Sequence, residues 1–182
     1  MSTEGKIQLE IVTPRGRALT ADVDEVTAPS VGGEFGVLPG HLRLLAALRT
    51  GIVSYRQGGE MIKCAVGPGF AEAGPDRLVM LTDDYAERAS VDPVIVRKEL
   101  AEVEARLHKL EGVPIVGADA KDPDAAMAEA RAEREALVGR QNWLAAQLEL
   151  YGDPPPATMR PYEEFGPPPP PAEEELPRSE EP

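Results

Sequence analysis

The hydrophobic pattern of this chain changes period near Ser90, and this change limits the possible folds more than any other feature of the sequence. Before Ser90, apolar residues alternate with polar ones, as at Ile7, Leu9 and Ile11, which predicts β-strands with one buried face. After Ser90, apolar residues recur every three or four positions, which predicts amphipathic helices. The chain therefore combines an all-β part with an all-α part.

Short strands separated by turn residues are predicted throughout the first 85 residues. Clusters of Gly, Pro and Asp divide the strands, and no helix-length pattern lies between them. Such spacing favours a β-sandwich or barrel over a sheet with alternating helices. The strands predicted after the first are Asp22–Ala28, Glu34–Val37, Ile52–Tyr55, Met61–Val66, Phe70–Ala73 and Leu78–Thr82.

Two helices joined by a loop are predicted after Ser90. Asp92-Pro93 and Asp122-Pro123 each supply an N-cap carboxylate followed by a proline at the first helical position. Two such helices can fold back on each other as an antiparallel hairpin. The apolar stripe of the first consists of Val96, Leu100, Val103, Leu107 and Leu110, and that of the second of Met127, Ala130, Leu137, Leu144, Leu148 and Tyr151.

The stripe of the second helix is imperfect. Arg134 and Gln141 belong to the same series, and Gly139 within the helix costs roughly 1 kcal/mol relative to alanine. Two interpretations follow: a partly solvated surface helix, or a helix that is only marginally docked and can move.

The last 30 residues differ from the rest in composition. Residues 153–182 contain 11 of the 19 prolines, and they carry eight acidic but only two basic side chains. Such a segment is predicted to be disordered or polyproline-like. It is either an inert solvated tail or, through Gly166–Pro171, a recruitment site for a partner. The predicted domains are therefore 1–88, 89–152 and 153–182.

Charge and composition exclude several classes of protein. A net charge of -13 argues against binding to nucleic acid. The single cysteine, Cys64, cannot form an internal disulfide. The chain shows neither a signal peptide nor an apolar run of about 18 residues, so we expect membrane association only through a partner.

No catalytic or metal-binding motif is visible in the sequence. His41 and His108 are not spaced as metal ligands, and Cys64 has no CxxC partner. No GxSxG elbow, phosphate-binding loop or GxGxxG motif is present. We therefore predict no metal, no cofactor and no catalytic activity of the chain itself.

One longer motif is specific. Gly33–His41, followed by Leu44-Leu45 and Leu48–Gly51, is interpreted as a short strand, a Pro-Gly turn and a return segment whose leucines pack inward. It closely resembles the GE(F/L)G(V/I)xPGHxPLL…LxxG signature of ATP synthase epsilon subunits. Ile7–Pro14 and Gly67–Glu72 resemble the same family, and the resemblance covers roughly residues 5–110.

The resemblance implies a ten-stranded β-sandwich followed by a C-terminal antiparallel helical hairpin. In that family the sandwich binds the gamma subunit with one face and the membrane ring of c subunits with one edge. It turns with the rotor while the catalytic head makes ATP. Transferred by motif position, Glu34 would face the ring loops and His41 would lie near the gamma or ring contact. The other expected partner-binding residues are Phe35, Pro39, Gly40 and Arg43.

The resemblance also implies that the hairpin is a switch. When extended, the family's hairpin inserts into the catalytic head and blocks ATP hydrolysis. Arg131, Arg134 and Arg140 are the residues expected to contact acidic loops of the head, although they could equally be ordinary solvated charges. The expected location is the cytoplasmic face of the inner or plasma membrane. The composition of the tail favours a bacterial over a plastid origin.

The sequence departs from the family pattern at several places. Arg43 replaces the usual proline of the PGHxPLL segment, and Val91–Val96 lacks the arginine-alanine pair of the ATP-binding (I/L)DxxRA motif. Arg97 is displaced by two positions, about 200° around a helix, so we predict no tight ATP binding. The acidic tail would be repelled by the catalytic head and favour the docked hairpin.

Two other functions remain open at this point. A free-standing β-sandwich binding module, with helices that pair with another coiled coil, would form a stable homo-oligomer and would not bind a gamma subunit. An enzyme assembled from scattered carboxylates would require two carboxylates with split pKa values in one cleft.

Overall fold

The computed structural model describes residues 5–111 and 123–153. These residues form ten strands, a short 3₁₀ turn and two helices, which confirms the predicted β-sandwich followed by a helical hairpin. The tail that was predicted to be disordered, residues 153–182, lies outside this range except for Asp153. The strands are β1 Ile7–Thr13, β2 Gly16–Val23, β3 Glu25–Ser30, β4 Gly33–Val37, β5 Leu44–Leu48, β6 Gly51–Gln57, β7 Glu60–Val66, β8 Gly69–Ala73, β9 Arg77–Thr82 and β10 Tyr85–Glu87.

Hydrogen bonds join the strands in the order β10-β7-β6-β3-β5-β8-β9-β1-β2, and β4 pairs with β3 off this path. All pairs are antiparallel except β1 with β9, which run parallel. The sheet curls so that β2 lies against β6. One face of nearly every strand is thereby turned towards a shared interior.

The interior of the sandwich is almost entirely aliphatic, as expected from an aromatic content of 4%. Each fully buried Leu, Ile or Val contributes about 1.5–3 kcal/mol relative to an exposed one, so this cluster is the main source of stability. Its buried members are Ile7, Leu9, Ile11, Val23, Val26, Ala28, Val37, Leu48, Val53, Tyr55, Cys64, Val66, Ala71, Ala73, Leu78 and Met80.

Three details of the strand prediction are wrong. The predicted strand Asp22–Ala28 is in fact the end of β2 and the start of β3, because the chain turns at Asp24, whose N–H donates to the carbonyl of Arg56. β10 was missed because three residues are too short to show a period. Within β5 only Leu48 is fully buried, whereas Leu45 is 74% exposed, because alternate side chains of a strand point to opposite faces.

The two helices are α1, Pro93–Glu111, and α2, Pro123–Glu149. The Asp92 cap is confirmed, since its Oδ1 accepts the backbone N–H groups of Val94 at 2.9 Å and Ile95 at 3.3 Å. Asp122 and the interhelix loop lie outside the described residues. The helices run antiparallel, and the ion pairs Arg106–Glu133 and Arg140–Glu99 join their exposed edges.

The predicted apolar stripe of α2 is buried at the C-terminal end of the helix. Towards the N-terminal end, the residues of the stripe rotate away from the seam, the line of contact with α1, and become exposed. Leu148 is buried and Gln141 is half-buried, but Arg134 is exposed and Met127 is 45% exposed. Positions seven residues apart rotate by about 20° per heptad on a straight helix, which accounts for this gradual loss. Arg134 therefore does not lie on the seam.

The base of the hairpin is docked on the outer face of β6, β7 and β10. Here the last turns of α2 lie between α1 and the sheet. A second apolar cluster fills this junction, with Ala65, Ala86, Val91, Val96, Leu144, Ala145, Ala146, Leu148 and Leu150 buried in it and Ile52, Leu100, Val103, Trp143 and Tyr151 packed around it.

Candidate partner-binding surfaces

The residues of the motif between Glu34 and Arg43 divide into two groups at opposite ends of β4. Glu34 pairs in register with Pro29 beside the β3–β4 turn, whereas Pro39 to Arg43 follow the other end of the strand. A five-residue strand separates its ends by about 13 Å. The structure thus does not bring Glu34 and His41 into one site.

The Pro39–Arg43 turn is a largely exposed loop that is hydrogen-bonded to the β8–β9 turn. Gly40 has a φ of 83°, which favours glycine, and its N–H donates to the carbonyl of Pro75 at 2.6 Å. His41 is half-buried, with Nδ1 2.6 Å from the carbonyl oxygen of Leu42. Pro39 and Arg43 are exposed, and so is Leu42 at 83%. The turn therefore presents both apolar and charged groups.

Phe35 lies apart from the exposed members of the motif. Its half-buried ring packs against the sandwich core, because it follows Glu34 on β4 and so points to the opposite face. Its main contribution is therefore to the position of the turn.

Glu34 is exposed and lies in a charged group at the end of α2. Burial is the main cause that raises the pKa of Glu149 above its ordinary value of 4.5. Lys63 and Arg49 lower this pKa in part, and the carboxylate of Glu34 raises it further. The carboxylate expected to face a partner is thus electrostatically coupled to the docked hairpin.

A third surface was missed by the sequence reasoning. Val12, Leu81, Phe70 and Ala47 are register neighbours across β1, β9, β8 and β5, and they form a row on the outer face of these strands. Phe70 is 59% and Leu81 54% exposed. Leu45, on the same face of β5, is 74% exposed. We call this surface the apolar face.

The apolar face includes a shallow cavity of about 650 Å³ at one end of the sandwich. The cavity is lined by the β1–β2 turn, the start of β8 and the end of β9. A sequence signal existed in Leu78–Leu81, where four successive apolar residues leave neither face of the strand polar. Such a strand indicates that its outer face is also covered.

The groups that could carry chemistry are engaged in structure. Burial raises the pKa of the Cys64 thiol to about 12, so this thiol behaves as a core residue. Thr82 is buried, and its hydroxyl lies 3.0 Å from the carbonyl oxygen of Gly67. Within residues 5–111 and 123–153, no group of three or more His, Cys, Asp or Glu could hold a metal ion.

Comparison with known proteins identifies the family. Residues 6–89 match the family model of the ATP synthase delta/epsilon chain β-sandwich domain. ATP synthase epsilon chain 2 of Syntrophotalea carbinolica is 40% identical over 105 residues, which cover 58% of this chain and 76% of that protein. The chain belongs to the ATP synthase epsilon chain family.

A longer match extends into the hairpin. The epsilon chain of Geobacter sulfurreducens is 35% identical over 136 residues, or 75% of this chain and 92% of its own length. A chain in a structure of the Euglena gracilis mitochondrial ATP synthase (OSCP/F1/c-ring in rotational state 1) shares the fold. Its TM-score is 0.57 at 22% identity, with 79% of this chain and 82% of that chain covered.

Membership of the epsilon family settles the class of function. An epsilon chain is a non-catalytic subunit of ATP synthase, so both alternatives considered from the sequence, the free-standing module and the enzyme, are set aside. Among the helices described, none is long and apolar enough to cross a membrane.

The three arginines of α2 differ in their surroundings. Arg131 and Arg134 are exposed on the helix surface. Arg140 Nη2 donates to Glu99 Oε2 at 2.6 Å and so joins α2 to α1. In the docked hairpin of this epsilon chain, Arg140 is thus engaged within the hairpin itself.

Proposed function

We propose that this epsilon chain turns with the central stalk and binds the gamma subunit through the apolar face. The single observation that carries the proposal is the row of exposed apolar side chains across four strands, led by Phe70 and Leu81. Soluble monomers rarely expose a contiguous apolar surface of more than a few hundred Å² unless a partner covers it. Gamma is the stalk partner that the family resemblance implies.

The Pro39–Arg43 turn extends this binding surface. Leu42 and Leu45 flank the turn and the start of β5, and both are more than 70% exposed. Pro39, Gly40, His41 and Arg43 would thus contact gamma at the margin of the apolar face. Phe35 supports the turn from inside the sandwich.

Glu34 is assigned to a different partner, the loops of the c-subunit ring. It lies at the opposite end of β4 together with Val31, which is 74% exposed in the β3–β4 turn. A carboxylate at a rim attracts basic loop side chains, and one such pair contributes about 0–1 kcal/mol. Its role is therefore to orient the rotor contact more than to strengthen it.

The hairpin is assigned a regulatory role in ATP hydrolysis. Docked as described, it leaves Arg131 and Arg134 exposed, where they could meet acidic loops of the catalytic head after extension. Arg140 would first have to exchange Glu99 for a group of the head. Residues 1–88 would then bind gamma and the ring, residues 89–152 would regulate, and the tail 153–182 would favour docking by charge repulsion.

The proposed location is the cytoplasmic face of a bacterial inner or plasma membrane, as a peripheral part of the synthase. Both curated relatives described above, from Syntrophotalea carbinolica and Geobacter sulfurreducens, are bacterial proteins, which supports this choice. Contact with the membrane would come through the ring of c subunits.

Binding to purified gamma tests the main assignment. Leu81→Glu places a charge in the middle of the apolar face, and we expect the dissociation constant to rise about ten-fold or more. Met61→Glu is the matched control, because Met61 is 48% exposed but lies on β7, outside the apolar face. Equal binding by wild type and Leu81→Glu would show that gamma does not use this face.

A second experiment tests Glu34. Glu34→Gln should reduce proton pumping coupled to ATP hydrolysis in reconstituted vesicles, and more at low than at high salt, because exposed charges are screened. Glu60→Gln, at the start of β7 next to the β6–β7 turn, is the control with the same change of charge. An equal effect of both variants would remove Glu34 from the ring contact.

A further inference from the structure

The residues that follow α2 reach back to the connector between the sandwich and the hairpin. The hydroxyl of Tyr151 lies 2.7 Å from the carbonyl oxygen of Arg88 and 2.9 Å from that of Val91. The guanidinium of Arg88 lies over the Tyr151 ring, 4.9 Å from its centroid. The connector consists of the five residues 88–92, and the Tyr151 hydroxyl thus contacts main-chain carbonyls at its start and near its end.

Asp153 makes a second contact with the start of α1. Its two carboxylate oxygens accept hydrogen bonds from Arg97 Nε at 3.0 Å and Nη2 at 2.9 Å. This bidentate arrangement has the planar geometry in which arginine binds a carboxylate best. The hydrogen bond from Arg97 is the main cause that lowers the pKa of Asp153.

A glycine turn brings these two side chains to their partners. Gly152 has a φ of 91°, a left-handed conformation that commonly ends helices. The N–H groups of Tyr151 and Asp153 both donate to the carbonyl of Leu148, at 2.8 and 3.3 Å. The chain is thereby turned back across the start of α1 and does not continue along the axis of α2.

The contact of Tyr151 with Arg88 differs in kind from the ion pairs of the hairpin. The pairs Arg106–Glu133, Arg140–Glu99 and Arg97–Asp153 join α1 to α2 or to the residues that follow it, so they can persist when the hairpin moves as a unit. The carbonyl of Arg88, in contrast, belongs to the turn that directly follows β10. The hydrogen bond from Tyr151 to this carbonyl must break when the hairpin leaves the sandwich.

We propose that Tyr151 forms a clasp that closes on the connector and holds the hairpin in its docked state, with the Gly152 turn and the Asp153–Arg97 ion pair keeping Tyr151 in position. The clasp acts together with the apolar cluster beneath it, and it must open before the hairpin is released. The proposal specifies how the proposed regulatory movement is controlled, and to that extent it rests on the proposed function. The clasp itself can be tested on the isolated chain, without gamma or the catalytic head.

Amide hydrogen exchange of the full-length chain measures the clasp directly. Tyr151→Phe keeps the ring and its packing but removes the hydroxyl donor. One net hydrogen bond corresponds to a change of about five-fold in an equilibrium constant, so we expect exchange in residues 141–151 to rise about five-fold. Tyr85→Phe is the matched control, because Tyr85 donates one hydroxyl hydrogen bond to Glu87 outside the clasp. It should leave exchange in residues 141–151 unchanged.

The ion pair can be tested by charge exchange. Arg97→Glu and Asp153→Arg should each increase exchange in residues 141–151, and the double variant should restore protection because it pairs the same charges in reverse. Trp143, the single tryptophan, packs beside the apolar cluster and reports release through a red shift of its emission. This second readout does not depend on backbone protection.

Increased exchange in Tyr151→Phe, with rescue by the double charge variant, would support the clasp. Unchanged exchange and Trp143 emission in all of these variants would overturn it. The proposed function is tested separately by inhibition of ATP hydrolysis. If the clasp variants release the hairpin of the free chain without any change in hydrolysis, the clasp stands and the inhibitory role of the hairpin falls.

Discussion

The sandwich and the hairpin of this epsilon chain are stabilised in different ways. The sandwich has a continuous aliphatic core to which nearly every strand contributes, and many of its side chains are fully buried. Among the described residues of the hairpin, the buried ones lie at its base, where Leu144 to Leu150 meet the sheet. The described part of its distal half is held largely by half-buried side chains and by the exposed Arg106–Glu133 ion pair.

This difference fits the roles proposed for the two regions. A part that anchors the subunit has to keep its shape under load, and a dense core provides such rigidity. A part that switches needs two states whose free energies differ by only a few kcal/mol. The small second apolar cluster, together with the clasp, can provide such states. The following predictions test whether the sandwich is the rigid region and the hairpin the region that can undock.

The largest effect is expected in the sandwich core. Leu78→Ala removes a fully buried side chain and should lower the free energy of unfolding by about 2–5 kcal/mol, measured by urea denaturation. Leu81→Ala, three residues away on the same strand, is the control and should change it by no more than about 0.5 kcal/mol because Leu81 is 54% exposed. Similar losses in both variants would contradict the described core.

A change in the second apolar cluster should affect the hairpin but not the sandwich. Leu144, on α2, is 1% exposed and belongs to the second apolar cluster, where α2 meets α1 and the sheet. Leu144→Ala should therefore increase amide exchange in α2 and shift the emission of Trp143 to the red, while protection of β1 and β9 stays as in the wild type. If β1 and β9 lose protection to the same extent as α2, the two regions unfold as one unit and the comparison fails.

An exposed pair between the helices should contribute little. Arg106 and Glu133 are 65% and 39% exposed, and pairs of this kind typically contribute about 0–1 kcal/mol. Arg106→Ala should change the stability of the hairpin by no more than about 0.5 kcal/mol, measured by exchange in α2. A clearly larger loss would mean that exposed ion pairs stabilise the distal half of the hairpin more strongly than we infer.

The smallest effects concern pH, and the two carboxyls at the end of α2 act in opposite directions. Because docking raises the pKa of Glu149 from 4.5, docking is strongest with this carboxyl protonated and weakens as the pH rises through and above 4.5. Because the pairing with Arg97, which keeps Tyr151 in position, lowers the pKa of Asp153 from 3.8, the contribution of this pair is complete above 3.8 and is lost as the pH falls below that value.

Trp143 emission across a pH titration measures both effects. As the pH falls from neutral, docking should strengthen down to pH 4.5 and weaken below pH 3.8. Glu149→Gln should abolish the first change and Asp153→Asn the second. A profile that is the same in both variants as in the wild type would assign the pH dependence to other groups.

Much of the fold could be predicted from the sequence because the hydrophobic repeats of its strands and helices are simple. The change at Ser90, the Asp92-Pro93 start of α1 and the alternation of β1 each depend on residues close together in the chain. The motif from Gly33 to His41 was specific enough to indicate the family.

What the sequence could not predict depends on long-range packing. The exposure of Leu45, Phe70 and Leu81 requires knowledge of which face of each strand is covered, and hydrophobicity alone does not distinguish the faces. The two ends of β4 became separate surfaces only once the pairing of β3 with β4 was known. Tyr151 ends the predicted stripe correctly, but its hydroxyl partners are backbone carbonyls about 60 residues away, which leave no signal in the sequence.

The most direct test of the central claim is one titration of ATP hydrolysis, with a gamma-containing catalytic head and increasing amounts of wild-type chain, Leu81→Glu or Leu144→Ala. The midpoint of the titration reports binding, and its plateau reports inhibition. We predict that Leu81→Glu moves the midpoint to higher concentration with the plateau unchanged, whereas Leu144→Ala deepens the inhibition without moving the midpoint to higher concentration. A weaker midpoint in Leu144→Ala, or no shift in Leu81→Glu, would contradict the division into a binding sandwich and a regulatory hairpin.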